Sequence, residues 1–139
     1  MIVFAAVAVL VVVLIVVAGV AISKDPGPAP AEVALGYELA WDRLDFETLW
    51  SLSTLELRDG RTRPEFVTAK RAAYRDQPGL RRLARHVVVE EATAGPHVAV
   101  VITSVELHDG STVRDELKLV RRGGRWQVLT YGLRAPNAR

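Results

Sequence analysis

Three changes of pattern along the chain predict an α+β fold, an N-terminal transmembrane helix followed by helices packed on a curved antiparallel sheet. Residues 2–22 are apolar without interruption, residues 31–77 repeat their apolar side chains at helical spacing, and from residue 86 the period drops to two. The predicted organisation is a transmembrane anchor over residues 1–23, a proline-rich linker over 24–30 and one α+β domain over 31–139. A stretch of about 110 residues buries one core and not two.

The run "IVFAAVAVLVVVLIVVAGVAI" holds neither a charge nor an amide. As a helix rising about 1.5 Å per residue it matches a hydrocarbon layer of roughly 30 Å. A cleaved secretory signal carries a basic leader and a shorter apolar core; neither is present, which favours an uncleaved anchor. Lys24 alone argues for a domain on the inner side, whereas "KDPGPAPAE" reads as an extended stalk. The expectation is a single-pass membrane protein with its soluble domain extracytoplasmic. With no cysteine in the chain, lipid attachment through a thiol and disulfides are both excluded.

The first helix of the domain is "PAEVALGYELAWDRL", where Val33, Tyr37, Ala40, Trp41 and Leu44 form one wide stripe. Asp45 caps a short second helix through "FETLWSLS", since a carboxylate at that position accepts an otherwise orphaned N–H. Thr62 and Glu65 have capping-box spacing, and Pro64 sits in a first turn where its missing N–H costs nothing. They open a third helix, "RPEFVTAKRAAYRDQ", stopped by Pro78 and Gly79.

Four strands follow, about 86–94, 97–108, 112–121 and 125–131. Asp109–Gly110 and Gly123–Gly124 read as two-residue hairpin loops. The first loop pairs Ser104 with Asp115, Ile102 with Leu117 and Val100 with Leu119; the second pairs Leu119 with Val128 and Leu117 with Thr130. One face then collects Val98, Val100, Ile102, Leu117, Leu119, Trp126 and Val128, with Ser104, Glu106 and Asp115 at one end of it. The opposite face carries Val101, Thr103, Val105, Leu107, Leu129 and Tyr131, a half-polar surface open to a partner.

Charge is segregated along the chain. Residues 31–57 carry six acids and one base, and residues 58–85 carry nine bases and three acids. The simplest reading is mutual neutralisation across packed helices. The bases do not interleave with aromatic residues and no nucleic-acid-binding motif appears, so nucleic acid is not an expected partner. His86, His97 and His108 lie eleven apart, which puts the middle one at the far end of a hairpin from the others; no metal site is expected. There is no glycine-rich phosphate cradle, calcium loop or HExxH, and no cofactor is expected.

The segments "ALGYELAWDRLDFETLWSLS", "RPEFVTAKRAAY" and "DELKLVRRGGRWQV" resemble the nuclear transport factor 2-like superfamily of cone-shaped α+β domains. The resemblance spans roughly residues 31–133 and implies three helices wrapped by a curved meander. The superfamily hosts isomerases, dehydratases, hydrolases and noncatalytic modules, so the fold does not deliver a function. A copy behind a membrane span looks like small anchored members from bacteria. Fifteen arginines against three lysines suit a GC-rich bacterial genome.

Two functions stay open. The first is a noncatalytic envelope domain that docks a partner protein or forms a homodimer through Val101, Thr103, Val105, Leu107, Leu129 and Tyr131. The second is a small-molecule binder, or a lyase- or isomerase-like enzyme. Its pocket would be drawn from Tyr37, Trp41, Tyr74, Ser104, Glu106 and Asp115. Asp115 is the candidate catalytic residue, because an apolar pocket raises a carboxyl toward neutrality, where proton transfer is efficient. A lone aspartate and serine do not make a catalytic constellation, and the first reading is preferred.

Overall fold

The computed structural model describes residues 27–133. The expected membrane span over 2–22 and linker residues 24–26 lie outside the described residues, and so does the end of the domain at 134–139. Among the described residues no helix is long and apolar enough to cross a membrane.

Helix α1 runs Pro30–Arg43. Pro30 pre-sets its first turn, and Glu32 folds back to accept the Ala29 N–H at 2.9 Å. It ends at Leu44, left-handed at φ 52°, whose N–H returns to the Ala40 and Trp41 carbonyls. Asp45 caps α2 (Phe46–Leu52) by accepting the Thr48 N–H at 3.1 Å. Helix α3 (Arg63–Tyr74) opens with Glu65 accepting the Thr62 N–H at 2.9 Å. It stops three residues earlier than the spacing predicts, and a single 3₁₀ turn at Pro78–Leu80 leads into the sheet.

The sheet is an antiparallel meander in the order β1 (Ala84–Ala94), β2 (Val98–Leu107), β3 (Thr112–Arg122) and β4 (Arg125–Leu133). Register breaks in β1 and at Lys118/Leu119 add local twist and bend the strands. Helix α1 lies across β1, β2 and β4, α2 touches β4, and α3 packs on α2. Where α2 ends, Thr54 donates its N–H to the Val128 carbonyl at 2.9 Å. The core between the layers is Val33, Ala34, Tyr37, Leu49, Ala99, Val101, Leu117, Leu119 and Val128 with Phe46, Phe66 and Val67. Helices on one face of a four-stranded antiparallel sheet make this an α+β fold, as the sequence predicts.

The β3–β4 corner is a two-residue turn, with Gly123 and Gly124 at φ 59° and 73° and Leu119 opposite Val128. Beyond it a bulge brings Tyr131, not Thr130, opposite Leu117. The β2–β3 corner departs from the expected register. His108 joins the loop, the Leu107 N–H donates to the Ser111 carbonyl at 2.8 Å and Gly110 N–H to the Leu107 carbonyl at 3.0 Å. Gly110 is left-handed at φ 86° while Asp109 is not, so this is a three-residue loop.

That one residue shifts β2 along β3, pairing Thr103 with Asp115 and Val101 with Leu117. Because side chains alternate, the slip exchanges the two faces of β2. Ala99, Val101, Thr103 and Val105 are buried under the helices. Ser104, opposite Arg114, and Glu106, paired with Arg85 at 3.5 Å, are on the other side. The expected inner positions of Val98 and Val100, and the expected outer positions of Val101, Thr103 and Val105, are therefore both corrected; Ile102 changes face with them but is buried, as expected, at 4% exposure.

Candidate functional site

At the end of the sheet nearest the β2–β3 corner the layers do not close. They leave a cavity of about 360 Å³ beneath the C-terminal half of α1. Its walls are Trp41, Leu44, Tyr74, Leu80, Leu83, Val87, Val105, Leu107 and Val113, with Glu38, Asp42, Asp115 and Tyr131 as the polar contribution. The mouth is held to α1 by Asp42, whose backbone carbonyl accepts the Arg82 N–H at 2.7 Å and whose carboxylate accepts the Ala84 N–H at 2.9 Å. Arg82 takes a left-handed φ of 55° there, a conformation that these two bonds hold against its usual preference.

Two carboxylates meet at this cavity, and both Glu38 and Asp115 are only 5% exposed. Thr103 Oγ1 donates to Glu38 Oε1 at 2.6 Å. The Tyr131 hydroxyl stands 3.2 Å from both Glu38 Oε2 and Asp115 Oδ2. A phenol has one proton to donate, so it satisfies both neighbours only when one of them is itself a donor. Burial pushes the Glu38 carboxyl up to about 7, helped by the Asp115 charge and offset by the hydrogen bonds from Thr103 and Tyr131. A protonated Glu38 closes the chain: its O–H donates to Tyr131, and Tyr131 donates to Asp115. Burial, then the two carboxylates, hold the Tyr131 phenol well above its ordinary range. It stays a neutral donor.

Of the pocket residues expected from sequence, Trp41, Tyr74 and Asp115 line the cavity. Tyr37 stands behind it, buried, with its ring edge-on to Trp41 and Tyr131. Ser104 and Glu106 are on the far face, for the register reason given above. Leu107 and Tyr131, expected on a partner-facing surface, line the cavity instead, and Leu129 is half-buried at the β4 bulge.

Glu38 was not expected, and Thr103 was expected on the partner-facing side. Glu38 stands one turn from Ala34 on the buried flank of α1, just off the stripe formed by Val33, Tyr37 and Ala40. The available signal was a glutamate beside a tyrosine within that stripe. Among the described residues no three histidine, cysteine or acidic side chains converge.

No protein-family model matches the sequence, and no curated protein does. Two solved structures share the architecture. One is a Campylobacter jejuni protein provisionally named an NTF2-like transpeptidase, with a TM-score of 0.54 at 15% identity over 74% of this chain and 99% of that one. The other is a SEC-C motif containing protein from Rhodopseudomonas palustris, with a TM-score of 0.55 at 14% identity over 75% of this chain and 77% of that one. At such identities the likeness is one of fold alone. The described chain has an NTF2-like fold.

Proposed function

We propose that this domain binds a small, largely apolar molecule in the cavity, with Glu38, Tyr131 and Asp115 fixing its polar end. The observation that carries the reading is two buried carboxylates joined through one phenol at the wall of an otherwise apolar space. Burying unpaired charge is costly, and a core with no ligand to orient is better filled with apolar side chains. The volume is at the lower end of the roughly 300–1,000 Å³ typical of small-molecule sites. A ligand hydroxyl meets a free acceptor lone pair on Asp115, and a ligand oxygen that takes the place of the Tyr131 hydroxyl receives the Glu38 proton. Proton transfer of the lyase or isomerase type is the chemistry such a pair permits, with Glu38 in the acid role and Asp115 in the base role.

Val101, Thr103 and Val105, which the docking and homodimer reading takes as exposed, are buried beneath this chain's own helices, so docking would use another surface. Attachment to a membrane by residues 2–22, with the domain outside the cytoplasm, is proposed from the sequence. Protease accessibility in spheroplasts tests it.

The binding proposal is tested by an NMR screen of the full chain in neutral detergent micelles against small alcohols, ketones and phenols. Saturable shifts confined to Val87, Val105, Leu107 and Val113, weakened tenfold or more by Glu38→Gln or Asp115→Asn, are the expected result. Ligands that shift these methyls equally in both variants, or no saturable ligand at all, would overturn it.

A further inference from the structure

The basic block of residues 58–85 is only partly neutralised. Arg58 stacks on Trp50 at 3.7 Å and donates to the Trp50 carbonyl, Lys70 lies 5.5 Å over the Trp41 and Phe66 rings, and Arg85 reaches Glu106 at 3.5 Å. Arg63 and Arg71 share the single carboxylate of Glu47 at 3.8 and 3.9 Å, long contacts between half-exposed groups. Arg75 and Arg81 make no ion pair among the described residues.

Arg71, Arg75 and Arg81 nevertheless converge. They line one depression of about 220 Å³, floored by Leu44, Phe46, Tyr74 and Pro78, and no carboxylate lines it. The last turn of α3 supplies Arg71, the residue that caps it supplies Arg75, and the residue after the 3₁₀ turn supplies Arg81. Of the acids around it, Asp45 is occupied by the Thr48 N–H and hydroxyl and Glu47 contacts Arg63 and Arg71, while Asp76 follows Arg75 in the chain; none lines the depression. Arg75 and Arg81 have no counter-charge among the described residues and Arg71 has only its long contact to Glu47, so the three repel one another and a bound anion reverses that balance. Guanidinium forks match the oxygens of a phosphate in pairs, and the apolar floor suits an organic substituent beside them.

We propose that this depression is a binding site for a phosphate-type oxyanion carried on an organic body, contacted by Arg71, Arg75 and Arg81. It shares the Leu44 and Tyr74 wall with the carboxylate cavity but draws on none of the cavity's polar groups, so it stands or falls independently of the proposed small-molecule site. Two sources carry this chemistry, the headgroup of an anionic phospholipid and a soluble phosphate ester.

The test follows the arginine side-chain N–H resonances of the full chain in neutral detergent micelles at fixed ionic strength. One arm titrates glycerol 1-phosphate, and the other adds phosphatidylglycerol to the micelles. Saturable shifts of Arg75 and Arg81 are expected, with those of Arg114 and Arg122 unmoved. The apparent dissociation constant is expected to rise at least tenfold in an Arg75→Gln/Arg81→Gln double variant whose Leu117 and Val128 methyl signals stay native. Saturation by glycerol 1-phosphate assigns the soluble source, and response to phosphatidylglycerol alone assigns the lipid. No saturable shift in either arm, equal movement of Arg114 and Arg122, or an undiminished response in the double variant would each overturn the proposal.

Discussion

Where α2 meets β4, Leu49, Leu117, Leu119 and Val128 are sealed from solvent at 1% exposure or less. At the other end of the same inner face, the layers leave a cavity, and Thr103, Asp115 and Tyr131 face Glu38. One sheet thus carries a dry, close-packed half and a polar, unfilled half. The contrast separates two requirements. Packing at the first end supplies stability through apolar burial, while the second end accepts the desolvation of two carboxylates in return for a chain of hydrogen bonds that a ligand can join.

Breaking the packed half has the largest effect. Leu119→Ala, opposite Val128 and away from Tyr131, leaves a void in the packed half, at a cost of about 3–4 kcal/mol. Urea unfolding is expected to register that loss while the Glu38 titration stays unchanged. If instead the variant moved both together, the two halves would not be separable.

The next effect belongs to the polar half and depends on pH. Folding raises the Glu38 carboxyl from about 4.5 to about 7, so the folded state binds the extra proton. The stability it contributes is complete below about pH 4.5 and is lost as pH rises through about 7, a change of up to roughly 3 kcal/mol. Glu38→Gln keeps an acceptor for Thr103 and a polar group for Tyr131 but cannot ionise. Denaturation midpoints at pH 5 and pH 8 are expected to diverge in the wild type and to converge in this variant. Equal divergence in both would remove Glu38 from the account.

Smaller still is Thr103→Val, which is nearly isosteric and deletes the 2.6 Å hydrogen bond to Glu38. A loss of about 1–2 kcal/mol is expected above pH 7, where the acceptor is charged, and less at pH 5. A loss that does not change with pH would mean the bond is incidental to the carboxyl. The smallest effect, about 1 kcal/mol, is expected for Gly110→Ala. A Cβ there meets nothing within 4 Å, so the whole cost comes from a φ of +86°. Thermal denaturation of the variant sharpens the assignment of the three-residue loop that sets the register beneath the cavity.

The helices and their caps were legible because their signals are local, as Asp45 and the Thr62–Glu65 pair show. The β3–β4 corner was legible for the same reason: two consecutive glycines at positive φ leave one loop length. Asp109–Gly110 fits two loop lengths, and only the conformation of Asp109 separates them. Nor did hydrophobic patterning decide, because "VAVVITSVEL" is apolar on both faces and tolerates a slip by one. That slip carried Thr103 into the site and Ser104 out of it. Asp115 survived because it belongs to β3, whose own alternation with Leu117 and Leu119 is unambiguous. Glu38 was hidden at the edge of a helical stripe, where a glutamate ordinarily turns to solvent and is buried only if distant partners such as Thr103 and Tyr131 receive it.

The most direct test of the central claim, that a buried carboxyl holds a proton at this cavity near neutrality, is a carbon-13 NMR titration of the Glu38 side chain from pH 3 to 9. A midpoint near 7 that moves when Asp115 is replaced by Asn is the result this account expects. A midpoint near 4.5, the ordinary value for a glutamate, would contradict it.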